Sequence, residues 1–490
     1  MKEKSVAKKV LFACLLFGML MTTNVFAQVG IGTVTPDESS ILDITSTTQG
    51  LLTPRMTTAQ RNAIVTPADG LMVYDTELKS FYHYNSTTTS WNRMSSDANG
   101  RLKFKRIKST DVLATVLADE KAAGGGSKYL LDTSTLYEIN GTVNVDFPIE
   151  LNNAYLVGLD SGEDKLVKAS GDLFTGTTGG SIRVLTLTAT AGKVFNITGG
   201  GTQNLIFRDA VVASSSNVGV IDNFALVFIS IVQYVANTTG IIYKDVNKLL
   251  ISNAGWFGNN LGTYETLQGT FGLVEKTGGF TEVAGANIGF DVSSNPTINV
   301  DAVVRDVVFM GTLTTGKYVN GYNPSIYSGY NFNNKWNVNC SGIPVEADAA
   351  ATGDVNFDYA VGSGALTSTS GTAVKLAGNT TSNNLFRFST GATNNKLIYL
   401  GTKKRYFRTT ATFSFQSSLS AAGVFVFYLA KNGAVINQSK VYCGVTSSDV
   451  DAATILSTVE MSTNDYIEVW VSRYSGSGDV KTVSLNLVVN

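Results

Sequence analysis

Carboxylates, a single histidine and one cluster of aromatics are the residues of this 490-residue chain whose types and spacing could do chemistry. Glycoside hydrolysis needs paired acids, because one carboxyl must donate a proton while the other attacks or activates water. Three sets qualify by proximity in β-rich sequence: Glu163, Asp164 and Asp172; Asp209 with Asp222; and Asp301 with Asp306. None carries a diagnostic motif, and Asp at a turn between strands is an ordinary hydrogen-bonding residue. No catalytic residue is therefore assigned. His83 stands among alternating aromatics, which favours a packed structural role. A lone histidine leaves no multi-histidine zinc site and makes a Ser-His-Asp triad improbable. Gly199-Gly200-Gly201 lacks the strand-loop-helix setting and the lysine of a phosphate-binding loop. Neither cofactor nor metal is expected.

Binding is the other chemistry to consider. Glycan recognition uses exposed aromatics beside polar side chains, and the densest aromatic, Asn- and Gly-rich region holds Trp256, Phe257, Tyr264, Tyr322, Tyr327, Tyr330 and Trp336. Trp256, Tyr264, Tyr322, Tyr327, Tyr330 and Trp336 are the candidates for receptor or glycan contact, with packing between strands as the competing role for each.

Composition limits the partners. The chain is 43% apolar and only 15% charged, with 37 basic against 38 acidic residues. That is too few charges for a disordered segment and too little positive excess for a nucleic-acid binder. A chain of this length supplies roughly three domains of ordinary size.

The start, MKEKSVAKKVLFACLLFGMLMTTNVFAQ, has four lysines, an apolar run from Val10 to about Met21, and Val25-Phe26-Ala27 before Gln28. This order describes a secretory signal peptide over residues 1–27, cut after Ala27. Nothing later reaches about 18 consecutive apolar residues, so no membrane span is expected in the mature chain. Export leaves Cys340 and Cys443, too few for a disulfide framework, and both read as buried free thiols.

Residues 28–95 read as a small β-meander with a short helix. Thr57 and Gln60 fit a capping box ahead of a helix from Thr58 to Ile64. Leu71–Tyr74 and Phe81–Tyr84 are strand-like, and Trp91 follows a Ser/Thr turn. The string VGIGTVTPDESSILDI, with LLTPRMTTAQRNAI and GLMVYDTELKSFYHYN behind it, resembles the N-terminal module of secreted surface proteins of the Bacteroidota, and is similar to one in bacteriophage tail-fibre proteins. The resemblance covers about 65 residues and implies surface display. It implies no chemistry.

RLKFKRIK, residues 101–108, reads as an exposed strand or solvated linker, and residues 111–123 as a helix capped by Thr110 or Asp111; together 96–127 form a basic connector. Residues 128–345 change character. Short β-branched runs alternate with Gly, Asn, Asp and Ser, helical periodicity is absent, and strands recur every 20 to 25 residues from Ile182, Leu205, Leu226 and Leu249. This spacing predicts a right-handed parallel β-helix of roughly eight to ten coils. Asn140-Gly141 reads as a hairpin at its entry. Residues 346–395, rich in Gly, Ser, Thr and Asn, read as a connector, except that LFRF at 385–388 is strand-like.

Residues 396–490 are strand-rich, with Asn432-Gly433 as a hairpin turn, and predict an antiparallel jelly-roll sandwich. YFRTTATFSF and NDYIEVWVSR resemble the tumour necrosis factor-like jelly rolls at the tips of trimeric fibres. By period-two alternation, both faces of 465–474 and of 424–429 carry large side chains, so one face fills the sandwich and the other needs a cover. A homotrimer supplies it, with Phe425, Phe427, Tyr466, Trp470 and Tyr474 as interface candidates; a loop from residues 346–395 laid over that face is the alternative. The whole reads as a mainly β, homotrimeric fibre. Its expected role is a non-enzymatic adhesin or receptor-binding protein for a cell-surface polysaccharide or protein receptor. The alternative is a β-helical enzyme that cleaves polysaccharide.

Overall fold

The computed structural model describes residues 3–19, 28–94, 103–419, 422–446 and 449–490. The chain divides into two compact units, Met1–Gly100 and Arg101–Asn490.

In the first unit, Glu3–Met19 is a helix, and among the described residues no helix is long and apolar enough to cross a membrane. The expected cut after Ala27 lies outside the described residues. Val29–Ile31 pairs in parallel with Leu42–Ile44. A four-stranded sheet follows, in the order Arg55–Met56, Met72–Asp75, Ser80–Asn85, Ser90–Arg93. The meander is there because polar turns separate alternating aromatic strands. The helix is Thr58–Asn62, and Thr57 and Gln60 form the capping box. Asp75 ties helix to sheet. It is fully buried, pairs with Arg61 Nη1 at 3.1 Å and accepts from Thr58 Oγ1 at 2.8 Å. His83 is half-buried on the central strand, opposite Met72 and Asn92, in a structural position.

The second unit begins with a parallel β-solenoid of about eight turns. Leu226 pairs with Lys248 and Lys248 with Leu273, so successive coils are 22 and 25 residues long. Three faces result. One is a nine-stranded sheet, and the other two are columns of a fifteen-stranded sheet that bends between them. The bend has a local cause. Val184, Asp209, Ile231, Asn253, Gly278 and Asp306 stack in register at one corner, each with φ between 51° and 65°. Gly, Asn and Asp reach this left-handed region cheaply, whereas a β-branched Val184 or Ile231 costs roughly 1–2 kcal/mol there. Tertiary packing holds those two in place.

Inside the solenoid, side chains stack coil on coil. Phe174 lies 5.6 Å from Phe195, and Trp256 lies 3.9 Å from Tyr234 and 5.1 Å from Tyr264. Another corner is lined by buried amides. Asn237 accepts from Ser215 N, Asn260 accepts from Asn237 N, and Asn287 Nδ2 donates to Asn260 O. These bonds satisfy backbone groups that the turn removes from the sheet ladder.

Several sequence expectations change. Lys103–Lys108 is no linker but the first strand of the solenoid, parallel to Thr135–Asn140; residues 101 and 102 lie outside the described ones. Three of its four cations are neutralised within the chain: Lys103 by Asp132 at 2.8 Å, Lys105 by Glu120 at 2.7 Å, and Arg106 by Glu138 at 2.5 Å. The helix expected over 111–123 is broken at Leu117 into Leu113–Val116 and Ala118–Ala123. Val112, whose side chain has no acceptor, is its N-cap, and the expected cap Asp111 instead accepts from Lys108 N. Asn140-Gly141 is a coil corner and not a hairpin. A type I′ turn needs positive φ at both residues, and only Gly141, at 80°, has it.

The chain ends in an antiparallel two-sheet sandwich. One sheet is built on Arg405–Ser417, Asp451–Met461 and Val480–Val489, and the other on Gly423–Lys431 and Tyr466–Gly476. Asn432 and Gly433, at φ 53° and 76°, make the expected hairpin. The presumed connector is instead part of this sandwich. Gly353–Asp358 and Ala365–Thr367 pair with Val480–Val489, Val374–Lys375 pairs with Tyr466–Gly476, and Phe388–Ser389 pairs with Leu397–Tyr399. The partners of the first two stand more than a hundred residues away, and that of Val374–Lys375 nearly as far, beyond the reach of local pattern. Cys340 is buried and free; Cys443 is free but only half-buried.

Candidate functional sites

The acids do not assemble into a hydrolytic pair. Asp164 is buried in a turn, where its oxygens accept the backbone N–H groups of Gly141, Leu159 and Asp160 at 2.7–3.0 Å. Burial by itself would raise its pKa, but these three donors outweigh burial and lower it. A proton donor requires the opposite. Glu163 is exposed beside it, and Asp172 accepts from Lys193 N and Asn196 Nδ2, both at 2.8 Å. Asp209 sits at the bent corner with Arg208 at 3.6 Å, whereas Asp222 ends a strand of the nine-stranded sheet and pairs with Lys244 at 3.1 Å. Asp301 caps Ala302 N, and Asp306 occupies the bent corner beside Arg305. These are turn and pairing residues. Glu346 is an acid that burial pushes up, yet its oxygens accept from Asn331 N, Asn331 Nδ2 and Phe332 N.

Most of the aromatic candidates face inward. Trp256, Tyr264 and Trp336 are completely buried and Tyr327 is nearly so. Trp256, Tyr264 and Trp336 lie in the solenoid core and Tyr327 packs edge-on against Tyr330 and Phe386, so none has a ring face to offer a sugar. Tyr322 and Tyr330 are half-buried. Tyr322 donates to Pro296 O and accepts from Trp336 Nε1, while Tyr330 stacks on Phe386 at 4.1 Å. Of the six candidates, only Tyr322 and Tyr330 keep partial contact with solvent.

Solvent meets their neighbours. Trp336–Ser341 alternates, so Trp336, Val338 and Cys340 point in while Asn337 and Asn339 point out. Here the last coil abuts the sandwich, with Arg387 as the fastener. This side chain is 2% exposed; it pairs with Asp348 and donates to the carbonyls of Trp336 and Glu346. Asp348 in turn accepts from Thr402 N at 3.0 Å and Lys403 N at 2.8 Å, fixing the loop that carries Lys403 and Lys404. A groove of about 370 Å³ runs between them, lined by Asp301, Asn334, Lys335, Asn337, Asn339 and the 402–405 loop. Pattern reading missed it, although a charged Arg387 inside LFRF was a visible signal.

The sandwich corrects part of the interface set. Phe425 and Phe427 are fully buried in the core of a single copy, packed on Phe413 and Phe415, so they cannot meet another chain. The outward residues of that strand are Val424, Val426 and Tyr428. Tyr466 and Trp470 lie half-buried on the outer face, and Tyr474 is exposed against Tyr442, 5.3 Å away.

Within the first unit the apolar surface is conspicuous. Val29, Ile31, Val34, Ile41, Leu42, Ile44, Leu51 and Leu52 are all exposed in one copy. A contiguous stretch so rich in exposed apolar side chains calls for a partner surface.

Residues 30–110 match the family model of the phage tail-like trimerisation region. The match coincides with that stretch and supports a trimeric, tail-fibre-like protein. No curated protein matches the chain. Among solved structures it is similar to the enzymatically active domain of tailspike protein 4 of bacteriophage CBA120, at 10% identity and a TM-score of 0.22, covering 88% of this chain and 77% of that one. It is also similar to tailspike gp49 of Acinetobacter baumannii bacteriophage Fri1, a capsular polysaccharide depolymerase, at 8% identity and a TM-score of 0.16, covering 89% and 98%. A third is the tailspike protein of Acinetobacter baumannii phage AM24, at 10% identity and a TM-score of 0.18, covering 86% and 91%.

Proposed function

We propose that this chain is a non-enzymatic, homotrimeric extracellular fibre protein that recognises a cell-surface glycan or another surface receptor. One observation carries the reading: the residues matching a trimerisation region expose, in a single copy, the apolar side chains that two further copies would cover. The β-solenoid then serves as a shaft and the tumour necrosis factor-like sandwich as a tip. Three copies of a weak tip site gain affinity through effective concentration. Tyr466, Trp470 and Tyr474 remain the interface residues at the tip. Engagement of Asp164, Asp172, Asp209, Asp222, Asp301 and Asp306 in turns and ion pairs supports binding without cleavage.

The leader at residues 1–27 directs the protein out of the cytoplasm, as expected of a bacterial surface protein of the Bacteroidota type; a virion tail is the other setting for this architecture. Incubation with capsular and cell-surface polysaccharides, followed by a reducing-end assay and a pull-down of the same material, tests the function. Retention without new reducing ends is the expected result. Release of new ends at catalytic rates overturns it in favour of a depolymerase.

A further inference from the structure

We propose that the groove between the last solenoid coil and the sandwich binds an anionic glycan, its acidic groups held by Lys335, Lys403 and Lys404 and its hydroxyls by Asn337 and Asn339. This names the ligand class for the receptor reading above and rests on it.

Charge comes first. Lys335 and Lys403 are exposed on the groove, and among the described residues neither pairs with a carboxylate. Lys404 pairs with Glu460 at 3.3 Å, the two side chains 58% and 39% in solvent, so an incoming anion competes for it easily. Against these cations stands Asp301; Asp348 also lines the groove but is consumed by Arg387. A positive excess on one concave surface is notable in a chain that carries no excess overall.

Shape and donors follow. Asn337 and Asn339 are two residues apart on one strand and both outward, which sets their amides about 7 Å apart. At that spacing the two amides reach hydroxyls of neighbouring sugars in one bound chain. The floor is rigid. Trp336 is completely buried beneath the groove, Arg387 locks the coil to the sandwich, and Asp348 holds the backbone of the lysine loop. A site held this way loses little entropy on binding.

The test uses the full chain and three probes: oligogalacturonate, dextran sulfate and neutral dextran of matched length. Calorimetric titration at 50 mM and 500 mM salt compares the native protein with a Lys335→Glu/Lys403→Glu/Lys404→Glu variant, and with Lys248→Glu as a distant exposed control. The native protein is expected to bind an anionic probe, to lose about tenfold or more in affinity at high salt, and to ignore neutral dextran. Preference between the two anionic probes distinguishes a uronate from a sulfated sugar. The triple variant loses at least about tenfold, and Lys248→Glu loses nothing. All the substituted side chains are exposed, so circular dichroism of the variant is expected to be native-like. Equal binding of neutral dextran, or undiminished binding by the triple variant, overturns the proposal. Whole-cell binding that survives the triple substitution sinks the groove but leaves the receptor function standing; no cell binding by the native protein sinks the wider reading.

Discussion

Asn237 and Asn260 sit one coil apart at a buried corner of the solenoid, and both the backbone N–H and the Nδ2 of Asn237 donate to Oδ1 of Asn260, at 3.0 and 2.9 Å. Asn260 itself is completely buried, and its Nδ2 reaches the carbonyls of Tyr234 and Phe257. One amide thus satisfies four groups that water cannot reach. Asn260→Ala is expected to cost about 2–3 kcal/mol, the penalty for stranding buried donors and acceptors. Urea unfolding of the shaft checks it, and an unchanged midpoint would show that the corner tolerates open backbone groups.

Glu265 and Lys276 form a second buried link, 2.7 Å apart and each at most 1% exposed. Breaking such a pair strands an unpaired charge at a cost of about 3–5 kcal/mol, whereas replacing both partners by apolar groups is often neutral. Glu265→Leu alone should therefore be strongly destabilising, and Glu265→Leu/Lys276→Met should recover most of the loss. A double-mutant cycle by calorimetry measures this. Equal stability of single and double variants contradicts it.

Trp256 tests the correction to the aromatic cluster. Since its ring is sandwiched between Tyr234 and Tyr264 inside the solenoid, Trp256→Ala should lower stability by about 3–5 kcal/mol. Receptor binding by the folded fraction should stay at the native level. A binding loss without a stability loss would return Trp256 to the surface.

Much of this was legible beforehand, and the failures have physical causes. Strand recurrence from Ile182 to Leu249 gave the solenoid, because stacked coils need apolar groups at one repeated position. Composition hid which aromatics face in, since both sides of a coil strand tolerate large groups and only the coil's closure decides. Residues 346–395 looked loose because their strands are two to six residues long and pair with Val480–Val489 or Tyr466–Gly476, far along the chain. Phe425 and Phe427 were placed at an interface since alternation names two faces but does not say which one is inside. The groove lysines were passed over because their surroundings are built from three separate segments.

Asp164 predicts a pH dependence. Its folded-state pKa is lowered, so its contribution is present above the ordinary carboxylate value of about 3.9 and is lost as pH falls through the folded value. Acid unfolding of the native chain should steepen below that ordinary value, and Asp164→Asn should flatten this limb while lowering stability at neutral pH. Parallel acid limbs in the two proteins would contradict the assignment.

The account depends most on assembly through the N-terminal region. Native mass, measured by light scattering on the chromatographed protein, is expected to be three times that of one chain, and to fall to one chain when Ile31→Asp and Leu42→Asp place charges on the exposed apolar surface. A native protein that runs as a single chain at micromolar concentration, or a trimer indifferent to both charges, would contradict it.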